Sequence, residues 1–423
     1  MKKLLLTLML VVFSINFIKA DETLYCTPTG AGSHNGSAFA HAFDVTELIH
    51  HLEFYSDLLL NPGTLTIYFS KGDYYEDLRL DAVMTPTLVA SNNVTAIHLY
   101  GGFSGVDPIE SLDERDLLYT PTIFHAGTNT PISIDMGSTA GNICVIDGIR
   151  FDSKDSNGCT TIVNNPALNL VAGSYIISQC IFNEYKTTNT LLFLEGVDAI
   201  FNVVNSVVSK SKAKHLVRTT SLLNFINTTI AYLSLYDDLI GPSSPNYHYQ
   251  MANCILYNIG DWNNSEHVYF EIHNSIVEHY NSLWMVDYGY NYWSTDPLFT
   301  FHVYAPYSCL TASDASYNGN PSDITGLDVS TNNAFTGILF YDVANHERFG
   351  NMADTSHLDI GAYQHYSNNT YHFQPQSFPS PQRLKEHEQE EIKETTIKYN
   401  LFGQPVDETY HGIVIRNGQK VLQ

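Results

Sequence analysis

Short runs of β-branched and aromatic residues, separated by Asn, Asp, Ser and Gly, fill the chain from about Gly63 to Phe301. The runs repeat. A small polar residue precedes an apolar pair at Asp147-Gly148-Ile149, Gln179-Cys180-Ile181, Asn205-Ser206-Val207, Asn227-Thr228-Thr229, Asn253-Cys254-Ile255 and Asn274-Ser275-Ile276. These anchors step by 32, 26, 22, 26 and 21 residues. An irregular period without intervening helices predicts coils of a parallel β-helix rather than propeller blades or leucine-rich repeats. Neighbouring coils lie about 4.8 Å apart, so Asn205, Asn227, Asn253 and Asn274 are expected to bond side chain to side chain up the stack. The inward row is expected to hold Ile149, Ile181, Val207, Ile230, Ile255 and Ile276.

Helical periodicity is clear once, in Asp44 to Leu60, where Val45, Leu48, Ile49, Leu52, Tyr55 and Leu59 share a face. Asp44 with Glu47 reads as a capping box, and Pro62-Gly63 ends the segment. Such a helix would cap the open end of the stack. After Pro297 the repeat fades. His372 to Thr395 contains Pro375, Pro379, Pro381 and a charged run, and reads as a solvated linker. The last residues regain alternation around Asn417-Gly418, a strong hairpin signal. The expected fold class is therefore all-β. It comprises a right-handed parallel β-helix with an N-terminal amphipathic cap helix and a small C-terminal β-hairpin tail. The expected divisions are 1–20, a signal peptide; 21–62, a strand and the cap helix; 63–365, the β-helix with an irregular end; 366–395, a linker; and 396–423, a sorting-signal-like tail.

Lys2 and Lys3 precede an apolar run from Leu4 to Ile18, and Ala20 stands before a cleavage point at Asp21. The run is shorter than the roughly 20 residues of a membrane span. Cys26 follows Tyr25, a poor context for a lipid anchor. The mature chain is therefore expected to be secreted or on the outer cell surface, with no transmembrane segment. Removal of Lys2, Lys3 and Lys19 takes the formal charge from −24 to −27. Such a field repels polyphosphates and argues against nucleic acid as a partner. The six cysteines are widely spaced without a CxxC pair, and buried single thiols are preferred to any particular bridge.

Four segments carry a resemblance. Pro62-Gly63-Thr64-Leu65-Thr66-Ile67-Tyr68-Phe69 with Gly72-Asp73-Tyr74-Tyr75 resembles the first coil of pectate-lyase-like β-helix proteins. Tyr100-Gly101-Gly102-Phe103-Ser104-Gly105 with Arg115-Asp116, then Asp296-Pro297-Leu298-Phe299 and Asp359-Ile360-Gly361-Ala362-Tyr363, resemble segments of bacterial surface β-helix repeat proteins. Together they cover about residues 24–365. Lys398 to Val406, Gly412 to Ile415 and Asn417 to Lys420 are similar to a type IX secretion sorting signal. That likeness implies the type IX secretion machinery as a partner.

Enzymes of this fold need particular chemistry. A polysaccharide lyase needs a Lys or Arg base beside a cation that neutralises a uronate. Arg150 with Lys154, and Lys210, Lys212 and Lys214 with Arg218, are the candidates, and Asp152, Asp155 and Asp198 are candidate Ca²⁺ ligands. A hydrolase needs paired carboxylates, for which Asp237-Asp238 is the candidate. For the lyase candidates a solvated turn is the competing and preferred reading, and the Asp pair has beside it neither the His-Gly nor the Arg-x-Lys motif that accompanies it in such hydrolases. Asp155 and Asn157 lie in Ser153 to Gly158, which has the character of a calcium turn but lacks the first Asp and closing Glu of a full loop. No cofactor beyond that Ca²⁺ is expected. His50-His51 diverge by about 100° on a helix and cannot share a metal. Trp284, Tyr288, Tyr290, Tyr292 and Trp293 form a polar, Gly-containing aromatic run suited to stacking on sugars, or else to covering the last coils. The favoured expectation is non-catalytic binding of glycans or of host or matrix surfaces. The alternative is a polysaccharide lyase or another carbohydrate-active enzyme.

The tail supplies a first test. Deleting Lys398 to Gln423 should leave the β-helix folded, because the linker isolates it, but should strand the protein in the periplasm. Fractionation that finds the truncated protein outside the cell would refute the sorting role.

Overall fold

The structure, a computed structural model, describes residues 20–109, 112, 115–117, 120–137, 142–196, 199–241, 248–260, 269–273, 275–278, 285–287 and 291–293. It also describes short strands at Phe299–Thr300, Ser308–Cys309, Lys398–Asn400, Pro405–Val406, Ile413–Arg416 and Gln419–Leu422. The chain divides into two compact units, residues 1–372 and 373–423.

The first unit is a parallel β-helix. Each coil contributes a strand to each of up to three sheets, and each strand pairs in parallel with its counterpart one coil away. The first sheet runs from Glu22–Cys26 through Gly63–Ser70, Val94–Phe103, Ile143–Asp147, Ser174–Ser178, Ile200–Val204 and Leu222–Ile226 to Met285–Asp287. The second runs from Gly72–Tyr74 to Tyr292–Trp293, and the third from Leu78–Leu80 to Val217–Thr219. No helix among the described residues is long and apolar enough to cross a membrane.

The corner between the first and second sheets explains the repeated polar residue. Gly148, Gln179, Asn205, Asn227 and Asn253 all take positive φ, between 48° and 71°. Asn tolerates this left-handed conformation better than most side chains. At each of these residues the backbone N–H donates to a carbonyl of the next coil: Gly148 to Ser178, Gln179 to Val204, Asn205 to Ile226, Asn227 to Ala252 and Asn253 to His273. Asn205 and Asn227 are fully buried, and Asn227 Nδ2 donates to Asn205 Oδ1 at 3.2 Å. The first anchor is Gly148 rather than Asp147, a shift of one residue. Asn274 lies outside the described residues.

The next residue around this corner is buried, Ile149 in the first of these coils and a small residue in the later ones: Cys180, Ser206, Thr228, Cys254 and Ser275. These small side chains join the corner bonds. Cys180 N–H donates to Ser206 Oγ at 3.2 Å, Cys254 N–H donates to Ser275 Oγ at 3.0 Å, and Thr228 Oγ1 donates to Ile226 O at 3.0 Å. Cys180 and Cys254 act here as small corner residues. Cys26, Cys144, Cys180 and Cys254 are buried free thiols, and Cys159 is an exposed one. Burial pushes the Cys26, Cys144 and Cys180 thiols well above the ordinary range.

Inward aromatic columns fill the core. Tyr74 lies on Phe124 with ring centroids 4.8 Å apart, Phe151 on Phe182 at 4.9 Å, and Tyr175 on Phe201 at 5.3 Å. Of the expected inward row, Ile149, Val207, Ile230, Ile255 and Ile276 are buried, while Ile181 is only partly so. Ile149 and Ile230 belong to the main core. Val207, Ile255 and Ile276 are buried outside it, because the register places them with Arg150 and Ile181 in the row next to the inward one rather than in the inward row itself.

Helix α1, Val45–Phe54, starts at the Asp44–Glu47 capping box. Val45, Leu48, Ile49 and Leu52 join the core, and the helix packs against Leu78–Leu80. Tyr55 departs from the expected face and is 68 % exposed. The helix stops there because Ser56 turns the chain: its hydroxyl donates to Glu22 and accepts from Leu58 N–H, opening a short 3₁₀ turn at Asp57–Leu59. In the second unit, Ile413–Arg416 pairs antiparallel with Gln419–Leu422 around Asn417-Gly418, and Lys398–Asn400 and Pro405–Val406 complete a four-stranded sheet.

Asn227→Ala should lower stability by about 2–3 kcal/mol, combining positive-φ strain with a lost buried hydrogen bond. Asn227→Gly should lower it less, because glycine takes that backbone without strain. Equal losses in chemical denaturation would show that conformation is not what asparagine supplies.

Candidate functional site

The candidate lyase and metal residues do not converge. Arg150 Nη2 donates to Leu117 O at 2.6 Å. Lys154 Nζ lies 3.2 Å from Glu184 and 4.0 Å from Asp152. Lys212 lies over the Tyr236 ring, and the Arg218 guanidinium over Phe193. Lys214 faces Asp237 at 3.8 Å, and His215 Nε2 is 3.9 Å from the same carboxylate. Asp238 donates its backbone N–H to Asp237 Oδ1 and accepts at its carbonyl from His215. Asp237 and Asp238 therefore belong to a turn held by Lys214 and His215. Lys210 occupies a second corner in the left-handed region, exposed, with Glu184, Tyr232 and Asn258 at equivalent positions.

The calcium-like turn is closed by its own amides. Asp155 Oδ1 accepts from Asn157 N–H and Cys159 N–H, both at 2.9 Å, and Gly158 N–H donates to Asp155 O. These bonds, chiefly the one from Cys159, hold the Asp155 carboxyl below its ordinary range. Among the described residues no group of three or more His, Cys, Asp or Glu side chains is placed to hold a metal ion. Asp198, Trp284, Tyr288 and Tyr290 lie outside the described residues. The backbone of Tyr292–Trp293 extends the second sheet by pairing with Ile276–Val277.

The feature that stands out is on the outer face of the first sheet, at its first three strands. Tyr25, Tyr68 and Tyr100 occupy one register position on consecutive strands, and each is partly exposed. Ring centroids are 5.4 Å apart for Tyr25–Tyr68 and 5.9 Å for Tyr68–Tyr100. The second pair is stacked, and the Arg115 guanidinium lies over the Tyr100 ring at 5.7 Å. Phe39 packs edge-on to Tyr25, and Phe103 edge-on to Tyr68. Ring faces are thus largely occupied by one another, leaving the hydroxyl edges for solvent. Thr23, Thr66 and His98 form a parallel outward row beside them.

The tyrosine row is bounded. It begins at the first strand of the sheet, and its next register position is Asp147. There Arg115 reaches across the coil: its guanidinium bonds Asp147 and donates to Gln179 Oε1 at 3.0 Å, all three side chains being buried. The Gly-rich segment makes room for this clamp. Gly102 has φ +88°, and a Cβ on Gly101 would lie 2.6 Å from Gly148 O. Burial holds the three phenols above their ordinary value, Tyr100 at about 12, so all three remain protonated donors at neutral pH.

Sequence reasoning missed this row. A signal existed: an aliphatic-Tyr pair recurs as Leu24-Tyr25, Ile67-Tyr68 and Leu99-Tyr100. No family model, curated protein or solved structure matches the chain. The class defined by the coordinates is a parallel β-helix with a tyrosine-edged outer face.

Arg115→Met should lower stability by about 3–5 kcal/mol, because it leaves the Asp147 carboxylate buried without its cation. A loss under 1 kcal/mol in denaturant titration would show that the clamp does not anchor this face.

Proposed function

We propose that the chain is an exported β-helix protein of the outer cell surface or exterior that binds glycans without catalysis, through Tyr25, Tyr68 and Tyr100. The observation that carries the reading is the row of three phenol hydroxyls, one per coil. None has a hydrogen-bonding partner among the described residues. Donor-acceptor groups repeated at the coil spacing suit an extended polymer with regularly repeated hydroxyls, lying along the stack. The strongly acidic chain disfavours a polyanion, and the cation closest to the row, Arg115, is neutralised by Asp147. A neutral glycan is therefore the preferred ligand. The lyase alternative is weakened because Arg150, Lys154, Lys212, Lys214 and Arg218 are each engaged with a neighbour. Export rests on the N-terminal segment and type IX export on the tail's resemblance, as set out above.

Tyr→Phe substitutions separate binding from structure, since they keep the ring ladder and remove only the hydroxyl. Tyr68→Phe and Tyr100→Phe should each weaken binding of a neutral oligosaccharide selected on a glycan array by about 2- to 10-fold, with unchanged Tm. Wild-type protein that retains no glycan, or Phe variants that bind as wild type does, would remove this reading.

A further inference from the structure

We infer that Asp73, His125 and Asp152 form a proton-binding staple that fastens the end of strand Gly72–Tyr74 to strands Thr122–His125 and Ile149–Asp152. The His125 side chain is buried at the end of strand Thr122–His125. Its Nδ1 lies 2.5 Å from Asp152 Oδ1, and its Nε2 lies 2.8 Å from Asp73 Oδ1. A neutral imidazole has one N–H and one lone pair, so one of these contacts would set a lone pair against a carboxylate oxygen. With both carboxylates ionised, both contacts are attractive only when the ring carries two protons. Tyr75 lies flat against the ring, with centroids 4.5 Å apart and planes 11° apart, an arrangement that favours a cationic ring.

The surroundings are acidic on every side. Asp73 and Tyr75 approach from the first coil and Asp152 from the third. Lys154 is a basic group beside the cluster, 4.0 Å from Asp152, and it is matched by Glu184 at 3.2 Å. Asp155 adds its charge, felt at Tyr75 together with those of Asp73 and Asp152. Burial by itself disfavours the imidazolium, but the hydrogen bonds to Asp152 and Asp73 outweigh it and hold His125 above the ordinary 6.5. A raised histidine contributes stability that is fully present below about 6.5 and is lost as pH rises through the folded-state value.

The two carboxylates differ in exposure: Asp73 is 56 % exposed and Asp152 11 %. On loss of one proton, the exposed Asp73 exchanges its ring contact for water more readily, whereas Asp152 keeps the remaining N–H. The expected result is local. The end of strand Gly72–Tyr74 and the turn that follows it loosen as pH rises, while the corner bonds of the stack stay formed.

An independent signal for this site is written in the chain. Along the second sheet an inward aromatic is followed by an outward side chain at Tyr74-Tyr75, Phe124-His125, Phe151-Asp152 and Phe182-Asn183. Stacking of the aromatics brings those followers into one row, with His125 between Tyr75 and Asp152.

The test combines a proton NMR titration of His125, assigned with His125→Gln, with hydrogen exchange of the 73–77 turn on the full chain. His125 should titrate above 6.5 in wild type, and Asp73→Asn should lower that value by about one unit. Turn protection should fall over the same pH window in wild type and stay flat in His125→Gln. Asp73→Asn changes an exposed side chain, so it keeps the test open if His125→Gln does not fold. A wild-type His125 value at or below 6.5, no change in Asp73→Asn, or pH-independent turn protection would overturn the staple.

Discussion

The parallel backbone pairing between successive coils is the constraint on which everything else depends. It fixes the rise at one strand spacing and therefore places every equivalent residue above its predecessor. Pairing alone does not fix how each coil turns. That is set by one left-handed residue at the corner, whose N–H reaches the carbonyl of the next coil. Gly148, Asn205, Asn227 and Asn253 are residue types that tolerate that backbone geometry, Gln179 adopts it as well, and Asn205 and Asn227 add a side-chain bond. A corner residue unable to take positive φ would strain each turn it occupied.

Register then turns short-range chemistry into extended rows. Inward, it stacks rings such as Phe151 on Phe182. Outward, the same rule lines up Tyr25, Tyr68 and Tyr100 on the first sheet, and Tyr75, His125 and Asp152 on the second. The two rows differ in what they leave unsatisfied. The phenol row leaves its hydroxyls without a hydrogen-bonding partner among the described residues. The His125 row satisfies both ring nitrogens internally, which makes it a proton site and a poor binding surface. The Arg115–Asp147–Gln179 clamp ends the tyrosine row and holds its last ring from behind.

Much of the architecture was legible because it rests on local rules. The αL corner needs Asn, Gly or a similar residue, so Asn205, Asn227 and Asn253 announced the coils, and the Asp44–Glu47 capping box announced helix α1. The second corner was invisible, since Glu184, Lys210 and Tyr232 are not residues that signal positive φ. The candidate site was less legible still. Tyr25 and Tyr100, or Asp73 and Asp152, are separated by many residues and meet only through register. Charge-based candidates such as Lys154 and Asp237 drew notice for their side chains, but folding gave each a neighbour of opposite sign.

Hydrogen exchange at the corner amides tests the central claim most directly. If coils are held in register by these bonds, the N–H groups of Gln179, Asn205 and Asn227 should exchange as slowly as strand amides such as those of Ile177 and Val203. This should hold although each sits in a turn, a position where amides ordinarily exchange fast. Exchange at the rate of exposed loop amides would contradict the account, and the outer rows would lose the register on which they depend.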